Sequence, residues 1–217
     1  MKVKLVGYTQ AAEEFKDKFQ NINDLVAFCA RVSNPANQFN TQTSDKLIAY
    51  LLKYKHFSPF EMATATIEIE TTRDIARQLL RHRSFSFQEF SQRYADPTKD
   101  LAFELRDARL QDLKNRQNSL ELAVGNALDT EWKQRQQKVL DIVSENYSWA
   151  IDQGIAKEQA RAILPEGLTM SRLYMCGTIR SYIHYIQVRT ETGTQKEHVD
   201  MAKEIAKVIS QVFKLEI

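Results

Sequence analysis

The 217-residue sequence predicts a mixed α/β (α+β) chain in which helix predominates. Three observations carry this expectation. Apolar and polar residues alternate at 2–8 and most cleanly at 63–70 (ATATIEIE), the pattern of half-buried strands. Apolar residues at helical spacing fill most of the remainder. The strands are interrupted by helices, which argues against a plain bundle. With 43% apolar and 27% charged residues, the chain has material for a sizeable core in one large domain or two small ones.

The elements follow in order. Residues 2–8 read as a short strand, and 13–19 and 23–32 as helices. Pro35 stops the second helix, and 35–42 is a polar loop. Leu47, Ile48, Leu51 and Leu52 place a helix over 44–54, capped by Thr43 or Ser44. A turn at 56–61 (HFSPFE) leads into the strand at 63–70, and 72–80 returns to helical spacing through Ile75, Leu79 and Leu80. Residues 84–94 alternate well enough to be extended, and 96–99 is a turn. The charged run 110–118 reads as helical. Residues 130–152 form a long amphipathic helix, 157–164 a shorter one stopped by Pro165, and 176–189 and 195–213 the last two.

Charge and cysteine usage exclude several classes. The net charge is +2, from 30 basic and 28 acidic residues, so a general nucleic-acid coat is not expected. The two cysteines, Cys29 and Cys176, have no zinc spacing and make no disulfide framework, and no metal site is expected. No apolar run approaches a membrane span, and the start, MKVKLVGYTQ, is too soon polar for a secretory signal. The expectation is a cytoplasmic protein. No Gly-x-Gly-x-x-Gly turn is present.

The densest chemistry lies in RHRSFSFQEFSQRY, from Arg81 to Tyr94. Guanidinium forks bind phosphate or carboxylate bidentately, so Arg81, Arg83 and Arg93 together suit an anionic, flat ligand such as a nucleotide. Cations at a helix C-terminus would offset the macrodipole, which accounts for one or two of them but not for Arg93. His82, flanked by two arginines, is expected to have a depressed pKa and to be a neutral hydrogen-bonding imidazole. Ser84, Ser86 and Ser91 have no nucleophile elbow and suit phosphate contacts better than attack. Glu89 is either a counter-ion to the arginines or a site carboxylate. Phe85, Phe87 and Phe90 are read as alternating onto one face of an extended segment, which suits core packing more often than stacking. Arg180, His184 and Gln187 share one helix face, with Arg189 at its end. That face is either solvated or part of a site, and Arg161 is an isolated charge.

Arg81-His82-Arg83-x7-Ser91 resembles the defining motif of flavin-dependent thymidylate synthases. The likeness extends to His56-x-Ser58-Pro59-Phe60-Glu61, to Ala76-Arg77-Gln78, and to Glu89-x-Ser91-x-Arg93-Tyr94. Ala160-Arg161-x-x-Leu164-Pro165 and Arg180-Ser181-x-x-His184 through Arg189 continue it. It runs from Cys29-Ala30-Arg31-Val32-Ser33 to the C-terminal helix, in the family's order.

The resemblance implies a single domain over 1–217, with a central, mostly antiparallel sheet flanked by helices. It implies a homotetramer with active sites between subunits, and no nucleic-acid or membrane partner. The implied reaction is reductive methylation of dUMP to dTMP. Methylenetetrahydrofolate supplies the carbon and FAD, reduced by NADPH, the hydride. No enzyme nucleophile attacks the pyrimidine, so Ser91 orients dUMP. Positions matching the dUMP site are Gln78, Leu79, Leu80, Arg81, Glu89, Phe90, Ser91, Gln92, Arg93, Arg161 and Arg189, with Arg189 polarising the pyrimidine as the catalytic group. Positions matching the FAD site are Ser58, Arg81, His82, Arg83, Glu89, Thr178, Ile179, Arg180 and His184, with Ser33, His56 and Glu61 as further candidates. Gln88 and Thr178 stand where the family often has Asn, and Gly193 where it often has His. A competing expectation is an arginine/aromatic nucleic-acid-binding module using Arg81, Arg83 and Arg93 with Phe85 and Phe87. A phosphate-ester hydrolase would lack a metal cluster.

Overall fold

In the computed structural model, which describes residues 1–214, the strands are β1 (Lys2–Tyr8), β2 (Thr64–Thr72), β3 (Phe85–Glu89), β4 (Arg109–Gln111), β5 (Ser119–Glu121) and β6 (Met170–Thr178). The helices are α1 (Ile22–Ala30), α2 (Ser44–Lys53), α3 (Arg73–Leu79), α4 (Pro97–Asp100), α5 (Ala127–Asp152), α6 (Lys157–Ala160), α7 (Ile179–Arg189) and α8 (Lys196–Ile209). One four-stranded sheet runs in the order β1-β2-β6-β3, and every pairing in it is antiparallel. Short 3₁₀ turns at Ser58–Met62 and Arg161–Ile163 join these elements.

The period-2 pattern decides which face of the sheet is covered. Ile67 and Ile69 of β2 and Leu173 and Met175 of β6 point inward and are fully buried with Ile179, Tyr182, Ile183 and Ile186 of α7. Met201, Ala202 and Ile205 of α8 complete that layer. The opposite face carries a polar ladder. Glu68 accepts from Lys4 at 3.3 Å and from the Tyr174 hydroxyl at 2.9 Å, and Glu70 pairs with Arg172 at 2.6 Å. Tyr182 reaches back from α7 to donate to the carbonyls of Ala65 and Met175, which ties the helix to the two central strands. Among the described residues no helix is long and apolar enough to cross a membrane.

Four sequence expectations are corrected. The predicted helix at 13–19 is a single 3₁₀ turn at Glu13–Phe15; Phe15 and Phe19 instead gather on Phe28, and packing outweighs local propensity. The charged run at 110–118 is not helical but the end of β4 and the turn of the β4–β5 hairpin. There the Asp112 carboxylate accepts from the Lys114 and Asn115 amides at 2.8 and 3.1 Å, satisfying backbone groups that a helix would need. The extended stretch at 84–94 narrows to β3, and Tyr94 closes a turn onto the Ser91 carbonyl at 3.1 Å. The helix expected from Cys176 starts at Ile179, because Cys176, Gly177 and Thr178 belong to β6. β6 itself was not anticipated. Its Ser171, Leu173 and Met175 do alternate with Arg172 and Tyr174, but Ser, Leu and Met carry little β-branched signal.

Candidate active site

The Arg81–Ser91 motif is built on the junction between α3 and β3. Leu79 is fully buried and anchors the end of α3, and the His82 amide donates to the Leu79 carbonyl at 2.9 Å. The chain then enters β3, where Phe85 stands opposite Gly177 of β6. A Cβ on Gly177 would lie 2.3 Å from the Phe85 ring, so only glycine lets that ring lie flat on the strand. Phe85 is buried against Tyr182, with ring centroids 4.9 Å apart, and Phe87 is half-buried. Buried in this way, Phe85 has no free face for nucleic-acid stacking.

His82 faces the end of α7. Its Nε2 accepts from Arg189 Nε at 2.8 Å, which places the histidine proton on Nδ1. Burial, and then the positive charge of Arg189, push its pKa down to about 4, so the imidazole is neutral. The neutral form was expected from the sequence; its main cause is burial, with Arg81 only a minor contributor. The Tyr185 ring meets His82 edge-on at 5.0 Å. Arg189 thus commits Nε to protein and has no described partner for its two terminal nitrogens.

Arg81 and Arg83 are exposed and have no hydrogen-bond or ion-pair partner among the described residues. The remaining arginines of the motif region are tethered. Arg93 Nε pairs with Glu158 at 3.1 Å, and Arg161 Nε donates to the Glu158 carbonyl at 3.4 Å, so α6 brings these two cations together. Glu89 accepts from Ser171 Oγ at 2.8 Å and pairs with Arg73 at 3.4 Å, a counter-ion arrangement within the sheet edge. Ser91 Oγ accepts from the Arg93 amide at 3.4 Å and has no base beside it among the described residues. Phe90 is half-buried, its amide donating to the Arg172 carbonyl at 2.8 Å, and Leu80 is on the surface. Gln92 is buried with its Nε2 unpartnered among the described residues.

The flavin-site candidates separate into two hollows. Arg180, His184 and Gln187 of α7 line a cavity of about 370 Å³ with Glu61, Ser84 and Phe57. Arg180 pairs with Glu61 across it. Thr178 caps α7 by accepting from the Ser181 amide at 3.2 Å. Ile179 is fully buried, and its amide donates to Ala63, so its side chain belongs to the core rather than to either hollow. Ser58, His56 and Ser33 line a second hollow of about 690 Å³.

The sequence profile described as "Thymidylate synthase complementing protein" matches residues 15–213. The chain belongs to the flavin-dependent thymidylate synthase family. A probable flavin-dependent thymidylate synthase of Paramecium bursaria Chlorella virus 1 is 46% identical over 213 residues, 98% of this chain and 95% of its own. The flavin-dependent thymidylate synthase of Synechocystis sp. is 48% identical over 189 residues, 87% of this chain and 85% of its own. The crystal structure of a UMP/dUMP methylase, PolB from Streptomyces cacaoi, bound with 5-Br dUMP, superposes with a TM-score of 0.78 at 25% identity, covering 97% of this chain and 90% of that one.

Within this flavin-dependent thymidylate synthase family member, two departures read from the sequence have a local cause. Thr178 keeps an oxygen that caps α7, and Gly193 has φ +92°, a conformation that favours glycine over histidine. The residues that sequence reasoning missed lie behind Gln78. His198 and Tyr185 are fully buried, and Gln195 and Glu197 sit at the start of α8. His198 shares the apolar stripe of α8 with Met201, Ala202 and Ile205, and that spacing was the available signal for a buried imidazole.

Proposed function

We propose that this enzyme converts dUMP, methylenetetrahydrofolate and NADPH with a proton to dTMP, tetrahydrofolate and NADP⁺, with FAD as cofactor. Bound FAD, once reduced, supplies the hydride that turns the transferred one-carbon unit into a methyl group. The donor set fits a dinucleotide. Arg81 and Arg83 offer two exposed guanidinium groups without protein partners among the described residues, suited to a diphosphate, and Arg180 and His184 line a cavity that Ser84, next to Arg83 in the chain, also borders. On this reading Arg81, His82, Arg83, Arg180, His184, Thr178 and Ser58 hold the flavin. Gln78, Ser91, Arg93, Arg161 and Arg189 hold dUMP, with Glu89 ordering the strand between them.

The observation that carries the proposal is the Arg189–His82 pair at the centre of the motif. The hydrogen bond through Nε fixes the guanidinium plane and leaves the terminal N–H groups to polarise the pyrimidine and hold negative charge. Among the described residues no base hydrogen-bonds to Ser91, and burial raises the Cys29 thiol, which supports a reaction without either as nucleophile. Ser91 orients the nucleotide.

The family resemblance implies sites completed between subunits of a homotetramer, and the exposed apolar residues of α5 suit such an assembly. The expected compartment is the cytoplasm. Purified protein with FAD should show flavin absorbance that NADPH bleaches without oxygen, and should form dTMP from dUMP and methylenetetrahydrofolate. Protein that stays colourless with added FAD, or that forms no dTMP, overturns the reading.

A further inference from the structure

Gln78 is held at both ends of its amide. Its Oε1 lies 3.0 Å from His198 Nδ1, and its Nε2 donates to Gln195 Oε1 at 2.8 Å. Gln195 Nε2 in turn donates to Glu197 Oε2 at 2.9 Å. At the other end, His198 Nε2 lies 3.1 Å from the Tyr185 hydroxyl.

These contacts admit one arrangement of protons, and it is decided at Glu197. An ionised carboxylate only accepts. Glu197 pairs with Arg109 at 2.7 Å and Arg106 at 3.2 Å. Burial pushes its pKa up, but the Arg109 hydrogen bond, its own backbone amide, Gln195 and the Arg106 charge outweigh that and hold it at about 2. Gln195 must therefore present Nε2 to Glu197 and Oε1 to Gln78. Gln78 must then present Nε2 to Gln195 and Oε1 to His198. His198 must carry its proton on Nδ1 and accept from Tyr185 at Nε2. Burial, and then the Arg189 charge, push the His198 pKa down to about 3, so the ring has one proton to place. Turning the Gln78 amide over would set oxygen against oxygen at Gln195. His198 and Tyr185 are fully buried, so no water takes part at that end of the row, while Gln195 at the other end is exposed.

The row leaves Gln78 one N–H and one lone pair without a described partner. We propose that His198 is a positioning residue for the substrate. Its Nδ1–H, backed by Tyr185, holds the Gln78 amide in the single orientation in which those remaining groups meet dUMP. This rests on the reading of Gln78 as a dUMP contact.

The test compares His198→Leu with His198→Asn, whose Nδ2 stands near the place of Nδ1 and keeps the donor. His198→Leu should raise KM for dUMP about 10-fold, the equivalent of one lost hydrogen bond, with kcat at saturating dUMP within about threefold. His198→Asn should return KM to within about threefold of the parent. Equal KM in the parent and the Leu variant overturns the proposal, as does an Asn variant as impaired as Leu. ¹⁵N NMR of the unmodified protein gives a second readout that survives misfolding of either variant. The Nδ1–H tautomer of His198 is expected, and the Nε2–H tautomer overturns the row. If the unmodified protein does not bind dUMP, the proposed function fails, while the tautomer still judges the row by itself.

Discussion

Arg189 and His82 show how a single hydrogen bond can set the duties of two residues. By giving Nε to His82, Arg189 loses rotational freedom but keeps its forked terminal nitrogens. Replacing His82 by Leu should lower kcat for dTMP formation about 10-fold, since a loosened guanidinium stabilises developing charge less well. Replacing it by Gln, whose Oε1 accepts near the place of Nε2, should recover most of that loss. Steady-state assays at saturating dUMP and FAD would separate this effect from weakened flavin binding. Acid should act on the same pair. The pKa values of His82 and His198 are depressed to about 4 and about 3, while an unfolded histidine titrates near 6.5. Between those limits the unfolded chain binds more protons than the folded one, so stability falls as pH falls. It is fully present above about pH 6.5 and declines through about pH 4, where the His82 part ends, toward about pH 3, where the His198 part ends. Glu197, held at about 2, adds a further loss below about pH 4.5. Urea midpoints at pH 7, 5.5 and 4.5 should decrease in that order, and a His198→Asn variant should show a shallower decline.

At the scale of elements, the site depends on how closely β3 lies on β6. Gly177 opposite Phe85 makes that approach possible, and Phe85 cannot swing aside because Tyr182 and Tyr185 pack against it. Gly177→Ala should destabilise the protein by about 1–3 kcal/mol through this overpacking, read as a lower urea midpoint with an unchanged m-value. Combining Phe85→Leu with Gly177→Ala should remove part of that cost. The same pairing explains what could be read in advance. β2 was legible because Ile67 and Ile69 are β-branched and alternate with Glu68 and Glu70. β6 was not, because its inward residues, Ser171, Leu173 and Met175, become strand-like only against β2 and β3. The motif from Arg81 to Ser91 was legible because its chemistry is contiguous. The row behind Gln78 was not, because Gln78 meets Gln195 and His198 across 117 and 120 residues. Glu89 suits either a counter-ion or a site carboxylate in the sequence, and only the fold brings Arg73 and Ser171 to it.

At the scale of the whole molecule, α5 presents a row of apolar side chains to solvent. The helix has 26 residues, about 39 Å, and carries Leu128, Trp132, Val139, Ile142 and Trp149 between 44% and 60% exposed. Their positions advance by four and three residues through Arg135 and Asn146, so they form one continuous seam. A seam with two tryptophans left to water would cost the chain far more than scattered exposed residues do, and it suits a partner helix. Trp132 and Val139 also wall a hollow of about 400 Å³ whose other side is Gln195 and Glu197. A subunit seated on α5 would therefore close the protein behind the Gln78 row, coupling assembly to the site. Ile142→Asp tests this at the position most exposed on the seam. In the isolated chain the aspartate remains solvated, so circular dichroism should be unchanged. In an assembly it would be an unpaired buried charge, costing several kcal/mol per copy. Light scattering at micromolar concentration should show the proposed tetramer of the parent replaced by smaller species, with dTMP formation falling in the same proportion. A variant that stays tetrameric would place the contact on another face. A variant that dissociates with full activity would show that one chain builds the site by itself, and the two hollows around Ser58 and Arg180 would then have to join within it.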